Sequence, residues 1–341
     1  MAIYRGRGYV KIGHLPLTFQ IAQPIDLARD ANETKELEQY AQSMQDFITS
    51  TGYVYKKPVR VDALPRSILF KQILARKLNL ELNETFVDQL RLSTAQNWQD
   101  SLNPELADWL KVTIGVVSGN RLREMHFEAK KDGVHGMVAG GTGAGKSELL
   151  MTLIVGLALN YDPSVLNFVL VDYKGGGAFQ PFRDLPHCID IVTNLNKSAV
   201  KRFFTAINAE MQRRQKLNAD TGTKDIVEYR AKGLHLTNEP YPHLYIIIDE
   251  YAEMITDNPE FRDELDSITR VGRAQGVNLL LASQRPTGVS DQMRANIKFR
   301  ICLRVEQVDT SREMLRRSDA AFLPNGMPGA VICRSATKIS S

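Results

Sequence analysis

The sequence predicts an α/β fold. A doubly wound, mostly parallel sheet with helices on both faces is expected over residues 112–341, preceded by a smaller α+β segment over 1–111. Three observations carry this. Short apolar runs recur after residue 112 and are continuous rather than alternating, as in strands covered on both faces. Segments with apolar residues at helical spacing lie between them. A glycine-rich motif links one run to the helix after it, at the strand end where such sheets bind ligands.

Before residue 112 the pattern is mixed. Tyr9–Ile12 and Leu17–Ile21 alternate like short strands around Gly13-His14-Leu15-Pro16. Residues 30–50 read as a polar, amphipathic helix opening at Asp30-Ala31-Asn32-Glu33. Residues 60–110 hold short apolar pieces broken by Pro65 and Pro104. No chemistry-bearing group of residues appears there, so packing or inter-domain contact is expected. After residue 112, strands are predicted at Gly136–Ala139, Asn167–Asp172, Leu244–Asp249, Val277–Ala282 and Phe299–Val305. The charges of the last suggest an edge or half-exposed strand. A helix is predicted over Ser147–Leu159. Another spans 197–218, with Val200, Phe203, Phe204, Ile207 and Met211 on one face and Asn196 as N-cap. A third, over 260–275, carries Phe261, Leu265 and Ile268.

Composition bounds the class. The chain has 341 residues, 43% hydrophobic, 24% charged and 8% aromatic, with a formal charge of +4. That is the balance of a soluble globular protein of about two domains. The longest apolar stretch, Leu149–Leu159, is far short of the roughly 18 residues a membrane-spanning helix needs. No apolar h-region follows the first residues. Cys188, Cys302 and Cys333 are isolated, which predicts a reducing environment and neither disulfides nor a zinc site. The histidines show no metal-ligand spacing. The mild charge neither demands nor excludes nucleic acid.

Gly140-Gly141-Thr142-Gly143-Ala144-Gly145-Lys146-Ser147 fits the phosphate-loop pattern G-x-x-x-x-G-K-[ST] in full, between a predicted strand and a predicted helix. Glycines let successive N–H groups curl around phosphates, and the helix N-terminus adds positive potential. Residues 141–148, Gly141, Thr142, Gly143, Ala144, Gly145, Lys146, Ser147 and Glu148, are therefore expected to bind ATP. Lys146 would reach the β- and γ-phosphates, and the Ser147 hydroxyl would hold Mg²⁺. Four apolar residues then lead into Asp249-Glu250: Asp249 would bind Mg²⁺ through water, and Glu250 would polarise the attacking water as general base. The bland alternative is an acidic pair at a helix start. Gln284, at the end of Val277–Ala282, is a candidate for sensing or positioning that water, against a plain loop amide. Asp172 and Lys174, beside Gly175-Gly176-Gly177, are equally consistent with a nucleotide-side role and with a tight turn. Arg202, Arg213, Arg214, Arg270 and Arg273 are helix-borne and expected to be exposed. Arg294, Lys298, Arg300, Arg304, Arg312, Arg316 and Arg317 form the most basic region, interrupted by Glu306, Asp309 and Glu313 and lacking aromatic residues, which weakens a nucleic-acid reading.

These residues carry a family resemblance. Gly140–Ser147, Val171-Asp172-Tyr173-Lys174-Gly175-Gly176, Ile247-Ile248-Asp249-Glu250-Tyr251-Ala252-Glu253 and Leu281-Ala282-Ser283-Gln284-Arg285-Pro286 together resemble the FtsK/SpoIIIE class of additional-strand ATPases, over about 115–334. Asn167–Gly177, Leu185-Pro186-His187, Thr193-Asn194-Leu195 and Arg270-Val271-Gly272-Arg273-Ala274-Gln275-Gly276-Val277 make it most similar to the EccC/EssC ATPases of type VII secretion. Arg5–Gly13 and Pro328–Arg334 resemble strands that close such domains. The resemblance implies a RecA-like P-loop ATPase domain over 112–341 and a linker or accessory region over 1–111. It implies a motor in a ring, expected to be a hexamer, beside neighbouring ATPase modules. It also implies membership of a membrane secretion complex, on its cytoplasmic side, that exports small helical proteins. The chain would then be one module of a longer membrane-anchored protein. Arg202 corresponds to an arginine that acts on the neighbour's nucleotide. Residues 30–58 fit the family poorly. Two alternatives stand: a DNA translocase with the same core, and a weakly hydrolysing nucleotide-binding scaffold that docks partners.

Overall fold

The structure, a computed structural model, describes residues 7–12, 15–20, 33–52, 64–175, 177–193, 197–334 and 339–340. Asp30–Asn32, Gly176, Asn194, Leu195 and the expected cap Asn196 lie outside them. The chain forms two compact units, Met1–Arg60 and Val61–Ser341.

In the first unit, β1 (Arg7–Ile12) and β2 (Leu15–Gln20) pair antiparallel, with Val10 opposite Leu17. Helix α1 (Glu33–Ser50) follows.

The second unit opens with two helices that the broken pattern of residues 60–110 does not reveal, α2 (Phe70–Leu78) and α3 (Phe86–Leu102). An antiparallel hairpin comes next, β3 (Lys111–Val117) with β4 (Arg121–His126). The sheet itself begins at β5 (His135–Ala139), which leads into α4 (Lys146–Asn160) and β6 (Leu166–Asp172). Then follow β7 (Cys188–Thr193), the long α5 (Lys197–Thr221), and the short α6 (Ile226–Ala231) and α7 (Leu234–Thr237). Strand β8 (His243–Asp249), α8 (Tyr251–Asp257) and α9 (Arg262–Val271) lead to β9 (Val277–Ser283). The chain continues through α10 (Asp291–Asn296), β10 (Ile297–Leu303), α11 (Val308–Leu315), β11 (Val331–Arg334) and β12 (Ile339–Ser340).

The sheet order is β12-β11-β10-β5-β9-β8-β6-β7. The strands from β7 to β10 run parallel, and β11 and β12 are antiparallel. Strand β9 lies between β5, which carries the glycine motif, and β8, which carries Asp249. This is the additional-strand, RecA-like order. Alternate residues of each central strand enter separate cores. Leu244, Ile246 and Ile248 of β8 pack with α5, α8 and α9, while Tyr245 and Ile247 pack with α4 and the β3–β4 hairpin. All seven positions of β8 and of β9 are buried, as the continuous apolar runs require. Gly136 in β5 is forced: a Cβ there would lie 1.9 Å from the Phe299 ring.

Two expectations need correction. Strand β10 is not an edge, because β11 covers its outer side and β5 its inner one. Its charges fit because Lys298 is exposed and Arg300 turns its guanidinium to the carbonyls of Met314 and Arg294. Arg214 does not face solvent. It is 2% exposed, its Nε donates to Glu210 Oε1 at 2.7 Å and its Nη1 to Gln275 O at 2.8 Å. Arg213 is half-buried between Glu210 and Glu239. Arg202, Arg270 and Arg273 are exposed as expected.

Candidate functional site

The loop between β5 and α4 is fastened at its base. Gly140 N–H donates to Ser283 O at 3.3 Å, Gly141 N–H to Arg304 O at 2.9 Å, and Ala144 N–H to Gly141 O at 3.1 Å. Gly143 and Gly145 take φ of 73° and 99°, left-handed values that side chains disfavour. Gly145 is further confined, since a Cβ would meet Gly329 N at 2.9 Å. Gly329 N–H in turn donates to Ala144 O at 2.9 Å, so the segment before β11 braces the loop. Thr142 and Gly143 are exposed at its tip, and Glu148 is exposed on the first turn of α4.

Lys146 is the first residue of α4, and its side chain is buried. Its ammonium donates to Asp249 Oδ1 at 2.6 Å and to Glu250 Oε1. Both carboxylates are buried at the end of β8. Glu250 has φ 56° and ψ 39°, and its N–H donates to Asp249 Oδ1 at 3.0 Å. A non-glycine residue held left-handed costs of order 1–3 kcal/mol. Here that conformation turns both carboxylates to one cation. Burial raises the Asp249 carboxyl above its ordinary range, with Lys146 pulling the other way. Ser147 stands half-buried beside Lys146.

The other expected residues divide. Gln284 reaches the cluster through its backbone, with its N–H 3.5 Å from Glu250 Oε2, while its side chain is exposed. Arg202, exposed on α5, bonds Ser198 Oγ at 2.8 Å and, among the described residues, does not touch this cluster. Asp172 caps a turn: its two oxygens accept Gly175 N–H at 3.0 Å and Gly177 N–H at 2.9 Å. Lys174 pairs with Glu253 at 2.7 Å. In the basic region Arg294 pairs with Glu313, Arg312 with Asp309 and Arg317 with Asp319, so much of its charge is locally neutralised.

Sequence reasoning missed a cavity of about 390 Å³ beside the loop. Ile68, Phe70, Ile114, Leu149 and Pro328 line it together with Gly145. Its walls come from four distant stretches of chain, so no local pattern announces it.

The Ser147 hydroxyl and the Asp249 carboxylate are oxygen donors of the kind Mg²⁺ takes, and the Lys146 ammonium bridges Asp249 and Glu250. Among the described residues no cluster of three or more His, Cys, Asp or Glu forms a metal site by itself.

The FtsK/SpoIIIE family profile matches residues 99–288. The chain is 35% identical over 317 residues, 91% of its length, to the ESX secretion system protein EccC of Geobacillus thermodenitrificans. It is 37% identical over 270 residues, 79% of its length, to the type VII secretion system protein EssC of Staphylococcus aureus. It spans only 20% and 17% of those two proteins. The structure of the cytoplasmic domain of the Thermomonospora curvata type VII secretion ATPase EccC superposes with a TM-score of 0.65 at 35% identity, over 72% of this chain and 29% of that one. The profile covers more than half of the chain and the EccC relative is matched over most of it, so the chain belongs to the FtsK/SpoIIIE family of P-loop ATPases.

Proposed function

We propose that the chain is an ATP-hydrolysing motor module of a type VII secretion system. The observation that carries this reading is the convergence of Lys146, Asp249 and Glu250 at the carboxyl ends of β5 and β8. In this reading the amides of 141–148 cradle the phosphates, and Lys146 leaves the carboxylates to contact the β- and γ-phosphates. Glu250, freed from Lys146, takes a proton from the attacking water. Gln284 orients that water from the end of β9. The apolar cavity beside Gly145 receives the base. Ser147 and Asp249 would hold Mg²⁺, which neutralises charge on the phosphate oxygens.

Among the described residues no arginine side chain bonds Lys146, Asp249 or Glu250, and Arg202 is exposed; a neighbouring copy in a ring, expected to be a hexamer, would supply Arg202 to the transition state. Kinship with EccC and EssC supports a place beside other ATPase modules on the cytoplasmic side of a membrane secretion complex, exporting small helical proteins. Among the described residues no helix is long and apolar enough to cross a membrane.

The test is ATP turnover at rising protein concentration, with and without duplex DNA, using Lys146→Ala as blank. Lys146-dependent turnover that rises more steeply than linearly and ignores DNA is expected. Strong stimulation by DNA would replace the secretion motor with a DNA translocase. Turnover at the level of the blank under all conditions would favour a nucleotide-binding scaffold.

A further inference from the structure

The motif Asp172-Tyr173-Lys174 closes β6 and stands beside the Lys146 cluster without joining it. Asp172 pairs in register with Asp249, and Tyr173 N–H donates to Asp249 O at 3.4 Å. Among the described residues neither the Tyr173 nor the Lys174 side chain bonds Lys146, Asp249 or Glu250. Both turn instead to α8, the helix that Glu250 opens.

Lys174 Nζ meets Glu253 Oε1 at 2.7 Å. The Tyr173 hydroxyl donates to Asp257 Oδ2 at 2.6 Å and accepts from Asn258 Nδ2 at 3.3 Å. Glu250, Glu253 and Asp257 are spaced i, i+3 and i+7, which puts them on one stripe of the helix. Two neighbouring side chains thus grip that stripe at its middle and at its last residue, with Glu250 at its head. The turn that carries them is closed on itself. The two oxygens of Asp172 accept the N–H groups of Gly175 and Gly177, whose φ of 70° and 75° only glycine takes readily.

Stability does not account for this grip. The Lys174 and Glu253 side chains are 46% and 47% exposed, and an exposed pair of this kind adds little to folding. Glu250, in contrast, needs holding. Its backbone is left-handed, and in this structure Lys146 bonds its carboxylate. Once Lys146 turns to the phosphates that tether is gone, and the carboxylate is aimed by the backbone that α8 sets.

We propose that Tyr173 and Lys174 are positioning residues for hydrolysis: through Asp257 and Glu253 they fix α8, so that Glu250 stays directed at the attacking water after Lys146 has left it. This rests on the reading of Glu250 as general base.

The test uses the full chain at a protein concentration where parental turnover per chain has levelled off. Lys174→Met and Tyr173→Phe should each lower kcat by about tenfold to a hundredfold, with KM and the affinity for a fluorescent ATP analogue unchanged. Lys174→Arg should recover most of the rate, and so should exchange of the pair, Lys174→Glu with Glu253→Lys. The Lys174→Met melt should stay in place. Single-turnover hydrolysis of labelled ATP extends the comparison to Glu250→Gln. In that background Lys174→Met should change the residual rate by less than about twofold, since no base is left to aim. A loss as large as in the parent overturns the proposal, because Lys174 then acts apart from Glu250. Parental turnover in both Lys174→Met and Tyr173→Phe overturns it too. Parental turnover in Glu250→Gln is a different failure: it strikes the base itself, and the proposal falls with it. Hydrogen exchange reads the grip without turnover. The amides of residues 253–257 should exchange at least about tenfold faster in Lys174→Met/Tyr173→Phe than in the parent, and equal exchange overturns the proposal.

Discussion

The ammonium of Lys146 bonds the carboxylate of Glu250, a residue whose backbone is held at φ 56°. Asp249 shares the same cation at 2.6 Å. One lysine is thus the shared counter-charge of two buried acids, and its removal should be felt in stability as well as in chemistry. Lys146→Ala should abolish turnover and lower the stability of the nucleotide-free protein by about 3 kcal/mol, because two buried carboxylates lose their counter-charge. Denaturant titration checks this. The deficit against the parent should shrink as pH falls and the acids take up protons.

Glu250→Gln keeps the shape of the side chain and removes the base. Turnover should fall by about 10²–10⁴-fold, while a fluorescent ATP analogue should still bind. Loss of binding in step with turnover would assign Glu250 to holding nucleotide.

Arg202 is exposed and, among the described residues, bonds one serine on its own helix, so Arg202→Ala should leave the melting temperature unchanged. Turnover should fall by about 10³-fold or more if the arginine works in trans. Mixing Arg202→Ala with Lys146→Ala then offers a direct check. Each is silent alone, and a mixed assembly joins an intact loop to an intact arginine, so activity should return.

Two buried histidines should make the fold acid-sensitive. Burial lowers the His135 imidazole from 6.5 to about 4, and lowers His243 well below 6.5, with Arg230 and Arg214 adding to the effect. Both are neutral in the folded chain near neutral pH. Below about 6.5 the unfolded chain binds protons that the folded chain refuses. Stability should therefore fall as pH drops from about 6.5 towards 4, by up to about 1.4 kcal/mol per pH unit for each histidine. Melts across that range, with His135→Gln as comparison, should show a shallower slope in the variant.

Gly136→Ala should destabilise by about 3 kcal/mol, since the new methyl falls on the Phe299 ring in a core filled from both sides. A lowered melt with nucleotide affinity per folded molecule preserved is the expected result.

The central strands were legible because burial on both faces leaves an unbroken apolar run, as in Tyr245–Ile248. The loop was legible because phosphate binding dictates residue type at fixed spacing. Peripheral elements were not. Strand β7 is covered mainly at Ile191, with Ile189 61% exposed, so its pattern is neither continuous nor cleanly alternating. Strand β4 reads RLREMH, yet its Met125 is fully buried and its Arg123 is held by Asp132. Arg214 carried a signal that its charge obscured. Ile207, Met211, Arg214 and Asn218 continue one stripe of α5, and all are buried. Spacing placed Arg214 inside, and Glu210 one turn earlier makes that tolerable. The Lys146 contacts with Asp249 and Glu250 required strand order, which brings together residues from distant parts of the chain.

The hydrogen bond from Gly329 to Ala144 has a consequence for how the protein is made. During synthesis the phosphate loop emerges well before the donor that fastens its carbonyl. A nascent chain can form the hairpin and the first helices while this loop is still unbraced. A firm hold on nucleotide is thereby deferred until the segment leading into β11 has followed.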